Sequence, residues 1–383
     1  MYLFFKDLEW WVSIRHPKEI WENHPSYLVG EVTFYIFGLL TLKHALRLRG
    51  RFPYLWLASV LHGLTVESIS YFLPDIDNFW HAQSMVMLLG RRLPLHIIIV
   101  YPVFIYTASV AVARLRLSRW AEPFAVGLAV VLIDIPFDIM GIKLLWWTWH
   151  DTDPNLFDRM YWVPWNSYYF HATFFKEIIC CLLTGMFSFP LGTLQFIPIY
   201  HTLHDKYHIH TEVCVFLLIG VYMLMWWTGD RHPEHDARTL PNKGWFDELA
   251  LVIYLHYFLY MLLVFIDEPQ NIKSIGVHEM IGECNATTSM VTALGQTVSK
   301  RKYLCLNDYD EGYYDFHCAD PPQHGTEWYT ICGNGYTNHM EYEVIITGLS
   351  LFGLYVYTQM MKYSGRQART GLPRAVMHKM KRH

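Results

Sequence analysis

Residues 123–145 read PFAVGLAVVLIDIPFDIMGIKLL and predict a membrane-spanning helix. About 20 apolar residues are needed for a helix to cross a bilayer. Asp134 and Asp138 interrupt this run four residues apart, so both carboxyl groups lie on one helix face. Ionisable groups at membrane depth normally face a bundle interior or a cavity. The segment therefore predicts a helix bundle with a polar centre inside it.

The rest of the chain repeats the apolar pattern. Its 383 residues are 53% hydrophobic and 17% charged, whereas a soluble domain is nearer 25% charged. The other candidate spans are Tyr27–Leu46, Tyr54–Leu73, Leu93–Val112, Tyr168–Phe187, Glu212–Thr228, Phe246–Ile266 and Val344–Met361, with Pro190–His204 as a short additional crossing. We expect an all-α polytopic transmembrane bundle of about eight to nine spans. No basic stripe interleaved with aromatic residues appears in the sequence, so we predict no nucleic-acid partner.

Charge and cysteine placement orient the bundle. The basic loops 47–51 and 114–119 and the tail 362–383 are expected in the cytosol. Residues 267–342 carry four of the seven cysteines and the glycosylation sequon at Asn285, which indicates an oxidising lumenal or extracellular compartment. The disulfide candidates are Cys284, Cys305, Cys318 and Cys332, and three pairings are possible. The prediction is an integral protein of the endoplasmic reticulum or plasma membrane.

These features divide the chain into five parts. They are an interfacial amphipathic N-terminus (1–26), a transmembrane bundle (27–266), a cysteine-rich insert (267–342), a final transmembrane helix (343–361) and a basic cytosolic tail (362–383). Nine crossings place every strongly basic loop on one side and the insert on the other.

The run 146–171, WWTWHDTDPNLFDRMYWVPWNSYYFH, follows the acid-bearing span. Amphipathic aromatics gather where membrane meets water. We predict that this run and the membrane acids frame a lipid or ligand cavity. Its candidate residues are Glu67, Asp134, Asp138, Trp146, Trp147, Trp149, His150, Asp151, Asp153, Trp165 and His171. The alternative is that the acids are inter-helix contacts, satisfied by Lys143, Lys176 or backbone amides.

The 21 histidines raise the question of a metal site. His201, His204, His208 and His210 are closely spaced, but membrane di-iron enzymes spread their histidines over several boxes that are missing here. Interfacial histidines are the favoured interpretation, and we predict no metal and no other cofactor.

The motif Trp-Trp-Thr-Trp-His-Asp-Thr-Asp-Pro (146–154), the following Asp158-Arg159 and Val-Pro-Trp-x-Ser (163–167) resemble a family of uncharacterised animal multi-pass membrane proteins, defined as a domain of unknown function. That resemblance implies the membrane class and supplies no catalytic residues. A fainter resemblance is to carotenoid-pathway membrane hydratases, which also combine a membrane Glu, paired acids and Trp-x-Trp, here Trp147-Thr-Trp149. It implies an apolar-ligand cavity framed by acids. The insert has no counterpart in those hydratases.

Three functions fit these observations. The favoured one is a non-enzymatic membrane protein that binds lipid, acts as a subunit of a membrane complex and supplies lipid to transfer machinery. The second is a membrane enzyme acting on an isoprenoid or lipid, with Glu67, Asp134 and Asp138 as acid–base groups. The third is a proton-coupled transporter. Membrane lipid and other membrane subunits are the expected partners, and portable catalytic motifs such as Gly-x-Ser-x-Gly are missing.

Overall fold

The computed structural model describes residues 8–72, 78–150, 152–173, 192, 194–231, 245–291, 295, 297–309 and 311–362. Its helices are α1 (Pro17–Asn23), α2 (Pro25–Leu48), α3 (Phe52–Phe72), α4 (Leu95–Ala113), α5 (Glu122–Lys143), α6 (Trp165–Ala172), α7 (Thr211–Arg231), α8 (Glu248–Ile266) and α9 (His339–Lys362). The π-helical stretches are Pro102–Tyr106 inside α4 and Ile197–Asp205 before α7.

Six described helices are long and apolar enough to cross a membrane, namely α2, α4, α5, α7, α8 and α9. Helix α3 is 21 residues long, but polar groups such as His62 and Glu67 interrupt its apolar run. Much of the predicted span Tyr168–Phe187 lies outside the described residues. A multi-pass membrane protein is thus supported, while the predicted count of eight to nine spans is not confirmed.

Helices α4 and α5 form the centre of the bundle. In each, 83% of the most apolar stretch is buried, against 28% in α7 and 33% in α9. Pro136 lies inside α5 and has no N–H to bond the carbonyl of Leu132. The hydroxyl of Tyr257 on α8 donates to that carbonyl at 2.9 Å, so a neighbouring helix satisfies the freed group.

Short antiparallel strands lie outside the long helices, so the predicted all-α class is not confirmed. Near the helix ends, β1 (Val12–Ile14), β3 (Val86–Leu88) and β4 (Leu93–Pro94) form one sheet, β2 (Phe79–His81) pairs with β5 (Trp147–Trp149), and β6 (Arg159–Met160) pairs with β7 (Val163–Pro164). In the insert, β8 (Lys273–Val277), β12 (Trp328–Gly333) and β11 (Tyr314–Asp315) form one sheet, and β9 (Thr287–Val291) pairs with β10 (Thr297–Arg301). Backbone groups beyond the helices need partners, and these ladders supply them.

The two ends of the bundle differ in chemistry. At one end, Lys143 donates to the backbone oxygens of Asn334 and Gly335 in the insert at 2.8 and 3.0 Å. At the other end, Arg47 pairs with Glu248 at 2.6 Å and Arg114 pairs with Asp247. We call these ends the insert face and the basic face. Helix α8 runs between them, so the early arginine loops lie opposite the insert, as the charge pattern predicts.

Two disulfides hold the insert together. Cys284 pairs with Cys305, and Cys318 pairs with Cys332, which selects one of the three possible connectivities. Asn285 lies beside the first disulfide and is exposed. The disulfides indicate an oxidising compartment for this face.

Candidate functional site

A cavity of about 360 Å³ opens among α3, α4, α5 and α6 below the paired strands β2 and β5. Apolar and aromatic side chains supply most of its wall. Its polar lining residues are Glu67, Ser70, Asn78, His81, Tyr101, Asp134, Asp138, Asp153, Asn155, Asn166, Ser167, His171, Tyr200 and His201. A mostly apolar cavity with a few convergent polar groups is the usual form of a small-molecule site.

The acid pair of α5 lies in this wall. Asp134 is completely buried, and neither of its oxygens accepts a hydrogen bond from a described residue. Asp138 accepts a hydrogen bond from the Ser167 hydroxyl at 2.7 Å. The imidazole Nδ1 of His171 lies 3.3 Å from Asp134 Oδ2 and 2.8 Å from the carbonyl oxygen of Ser167. Helix α6 thus places a hydroxyl beside Asp138 and an imidazole beside Asp134.

Two buried carboxylates this close repel each other strongly. At about 4 Å and an effective dielectric constant of about 20, the repulsion is on the order of 4 kcal/mol. Lys143 does not offset it, because its ammonium group is bound to the insert and lies over the rings of Tyr336 and Tyr342. Lys176, the other predicted partner, lies outside the described residues. Among described residues, the pair therefore needs a shared proton, a protonated His171 or a bound cation.

A second polar group faces the acid pair from α3. Glu67 accepts a hydrogen bond from Tyr101 at 2.7 Å and lies 3.6 Å from His81 Nε2. The Tyr101 ring packs directly against Gly63, where a Cβ would collide with it. Glycine at this position therefore lets Tyr101 reach Glu67.

Strand β5 forms the roof of the cavity. The Trp147 ring packs against Gly141 and stacks obliquely on Phe137 at 4.8 Å. The main chain of β5 pairs with β2, where Trp80 is opposite Thr148. The roof is therefore fixed both by its strand partner and by the helix beneath it.

Hydrogen-bonded polar side chains form another part of the cavity wall. The Asn166 amide donates to the backbone oxygen of Asn155 at 2.8 Å and to the Tyr200 hydroxyl at 3.1 Å. Asn78 donates to Asp153 at 3.1 Å. The cavity wall thus combines these polar groups with apolar rings and with the buried acids of α5.

The insert clamps the loop that follows the roof. His150 Nδ1 lies 3.1 Å from both Glu311 Oε2 and the Tyr314 hydroxyl. Thr152 donates to the two oxygens of Glu279 at 2.8 and 2.7 Å. Burial raises the pKa of Glu279 to about 7, against the opposing effects of His150 and the Thr152 hydroxyl. These side chains are nearly all buried, so this network joins the insert to the roof.

Not all of the predicted cavity residues line the cavity. Glu67, Asp134, Asp138, Trp147, Trp149, Asp153 and His171 do so. Trp146 instead packs in the core against Tyr27, His150 joins the insert network, and Trp165 packs against Phe216. Asp151 lies outside the described residues.

Sequence reasoning missed Tyr101, His81 and Ser167. Tyr101 precedes Pro102 in an apolar run, and Ser167 belongs to the Val-Pro-Trp-x-Ser motif that was noted only for its resemblance. Proline next to a polar residue at membrane depth is the signal that was available for Tyr101.

The described residues contain two groups able to hold a metal ion. One is Asp134, Asp138 and His171, whose ligand atoms all lie within 4.8 Å of one another. The other contains Cys332, which is already in a disulfide and offers no thiolate. Three of the four histidines considered as metal candidates contact carboxylates. His201 and His204 contact Asp205 at 2.7 and 2.9 Å, and His210 contacts Asp158 at 3.0 Å.

Comparison with known proteins gives one match, to the family model described as domain of unknown function DUF7802, over residues 3–176 and 172–362. The chain belongs to this family. No curated protein and no solved structure matches it. The fainter resemblance to carotenoid-pathway hydratases stays a prediction.

Proposed function

We propose that this protein binds a membrane lipid, with the polar end of the lipid at the Asp134–Asp138 pair. The observation that carries the proposal is a buried carboxyl pair at the depth of a mostly apolar cavity inside a helix bundle. Such a pair is costly for folding alone, because one or both groups lose hydration without a matching cation among the described residues.

The wall of the cavity suits an elongated apolar molecule. Phe104, Phe137 and Trp147 line the wall with aromatic rings, and Asn155 and Asn166 add amide groups to it. Aromatic walls bind acyl or isoprenoid chains through apolar burial, at about 25 cal/mol per Å² of apolar area removed from water. The acids then select a headgroup with a hydroxyl or amine donor. Membership of a membrane complex, lipid supply to transfer machinery and a lumenal insert are proposed with it as the setting of this activity.

A second candidate is an enzyme acting on an isoprenoid or lipid. It is favoured by one observation, namely that Glu67, Asp134 and Asp138 line the same cavity although they come from two helices. A carboxylic acid and a carboxylate on opposite walls are the groups that protonate a double bond and accept a proton from water. The lipid-binding proposal requires only that a lipid is retained, whereas the enzyme proposal requires that the lipid is converted to a product.

Native mass spectrometry and lipid analysis of the purified protein test the binding proposal. The wild-type chain should retain one lipid class in stoichiometric amount, and the double variant Asp134→Asn, Asp138→Asn should lose at least about 90% of it. Glu31→Gln is the matched control, because Glu31 is a buried acid of α2 that accepts hydrogen bonds from the Met85 amide and lies outside the cavity. A folded wild-type protein without lipid, or equal retention by the double variant, would contradict the proposal.

The amide variants also separate binding from catalysis. If the wild-type chain converts a lipid and Glu67→Gln abolishes turnover while the lipid is still retained, the enzyme proposal holds. If conversion persists in all three amide variants, the acid–base roles are wrong.

A further inference from the structure

We propose that Asp134, Asp138 and His171 bind a divalent first-row transition-metal cation inside the cavity. The inference deepens the proposed function and rests on it only for the identity of the lipid group that completes the coordination. Two carboxylates and one imidazole suit Mn²⁺, Fe²⁺ or Zn²⁺.

The distances fit such an ion. One ligand atom from each of the three side chains lies within 4.8 Å of the others. Metal–oxygen and metal–nitrogen bonds of about 2.0–2.2 Å require ligand atoms no more than about 4.4 Å apart. Side-chain movements of a few tenths of an ångström would bring the ligand atoms within this limit. The three groups therefore need little rearrangement to share one ion.

An independent observation at Asp134 points to a ligand. This side chain lines the cavity, is 0% exposed, and has two oxygens that accept no hydrogen bond from any described residue. Buried polar atoms normally find a partner, and an orphan aimed into a cavity marks a place where a ligand atom belongs. A cation would satisfy these oxygens and balance the two negative charges at once.

Ser167 supports the other two ligands. Its hydroxyl donates to Asp138 Oδ2 at 2.7 Å, and its carbonyl oxygen lies 2.8 Å from Nδ1 of His171. The same Nδ1 lies 3.3 Å from Asp134 Oδ2, so Ser167 holds the imidazole beside the acid pair. Groups bonded to metal ligands orient those ligands in this way. One residue of α6 thus orients both a carboxylate and an imidazole.

Three protein ligands leave coordination positions for an outside ligand. The cavity supplies the space, so an oxygen of a lipid hydroxyl or phosphate headgroup is the expected occupant. Free phosphate offers the same chemistry, and the experiment must distinguish it from lipid.

The test uses the full-length protein after removal of any histidine tag. Elemental analysis by plasma mass spectrometry should find about one transition-metal ion per chain, and Co²⁺ added after chelation should give d–d absorption bands. Asp134→Asn and Asp138→Asn should each weaken Co²⁺ binding at least about 10-fold. Ser167→Ala should weaken it about 10-fold or more as a second-sphere change. Glu31→Gln, a buried acid of α2 outside the cavity, is the matched control and should leave Co²⁺ binding unchanged.

Several outcomes would overturn the metal site. They are a folded wild-type chain that neither retains a metal nor binds Co²⁺, metal binding that survives both Asp variants, and an equal loss of Co²⁺ binding in Glu31→Gln. Retained lipid without a metal rejects the metal site and leaves the proposed function standing. Retained metal without lipid supports the metal site and rejects the proposed function.

A competition arm identifies the outside ligand. Inorganic phosphate at millimolar concentration should leave the Co²⁺ spectrum of lipid-loaded protein unchanged, and delipidation should alter that spectrum. A Co²⁺ spectrum that delipidation leaves unchanged, or that millimolar phosphate alters in the lipid-loaded protein, would overturn the headgroup assignment.

Discussion

Two buried pairs of acids lie within this molecule, and they are arranged in opposite ways. Glu279 and Glu311 of the insert each have hydrogen-bonding partners, including Thr152 for the first and His150 for the second. Asp134 and Asp138 of the bundle line a cavity, and Asp134 accepts no hydrogen bond from a described residue, although His171 Nδ1 lies 3.3 Å from its Oδ2. Both pairs are thus buried, and they differ in how fully protein groups hydrogen-bond their carboxyl oxygens.

The difference separates a structural role from a binding role. A satisfied network stiffens the fold and leaves nothing for a ligand to do. An unsatisfied carboxyl facing empty space is costly in the free protein, and that cost is recovered when a ligand or cation arrives. The insert pair therefore holds the roof, and the bundle pair marks the site.

The largest effect is expected from removing an acid of the insert network. Glu311→Ala leaves His150 and Tyr314 without their carboxylate partner, and each buried polar group left unpaired costs about 1–3 kcal/mol. We expect faster hydrogen exchange in the insert and a lower unfolding temperature. The exposed Glu327→Ala should change neither. An unfolding temperature like that of wild type would show that the network does not hold the roof.

The next effect is the pH dependence of the insert. The pKa of Glu279 is raised to about 7 from an ordinary value near 4.5, so the folded state holds its proton more tightly than the unfolded state. Stability from this group is greatest below about pH 4.5 and falls as the pH rises to about 7, by at most about 3 kcal/mol. Exchange rates of the insert measured from pH 4.5 to 8 should show this fall. The fall should be missing in Glu279→Gln, and an identical pH profile in that variant would exclude Glu279 as the cause.

A smaller effect of opposite sign is expected at the bundle pair. Replacing Asp134 and Asp138 with Asn removes their repulsion and should leave stability unchanged or raise it by about 1–2 kcal/mol. Unfolding of both proteins should be compared after lipid and metal have been removed. A decrease of several kcal/mol in the free energy of unfolding would show that the bundle pair stabilises the fold, as the insert pair does.

The smallest effects come from matched hydroxyl deletions. Thr152→Ala removes a donor from the insert pair, and Ser167→Ala removes one from the bundle pair. Each should cost about 1 kcal/mol in stability, but only Ser167→Ala should weaken ligand retention. If both variants lose ligand equally, the position of strand β5, rather than the orientation of Asp138, governs binding.

The sequence predicts the bundle well for a physical reason. Apolar length and charge placement are local properties, so residues 123–145 and the basic loops can be interpreted without a structure. The shared face of Asp134 and Asp138 also follows from local helix geometry. Their union with Glu67 in one cavity depends on helix packing, which the sequence only suggested.

Other parts of the site depend on contacts between segments that are distant in the sequence, so local sequence patterns do not predict them. Tyr101 reaches Glu67 because Gly63 leaves room for its ring, and that fit exists only between packed helices. Strands of two to six residues are too short for clear alternation, so the insert sheets and the β2–β5 pair were not predicted. Disulfide pairing likewise needs spatial proximity, which cysteine spacing does not supply.

The most direct measurement is a cryo-electron microscopy map of the protein in lipid nanodiscs at side-chain resolution. Elongated density should lie along Phe137 and Trp147 and end within about 3.5 Å of the Asp134–Asp138 pair. The same map of the double Asn variant should lack that density while the insert network is unchanged. A wild-type cavity that is filled by its own side chains, or that holds only water, would contradict the central claim.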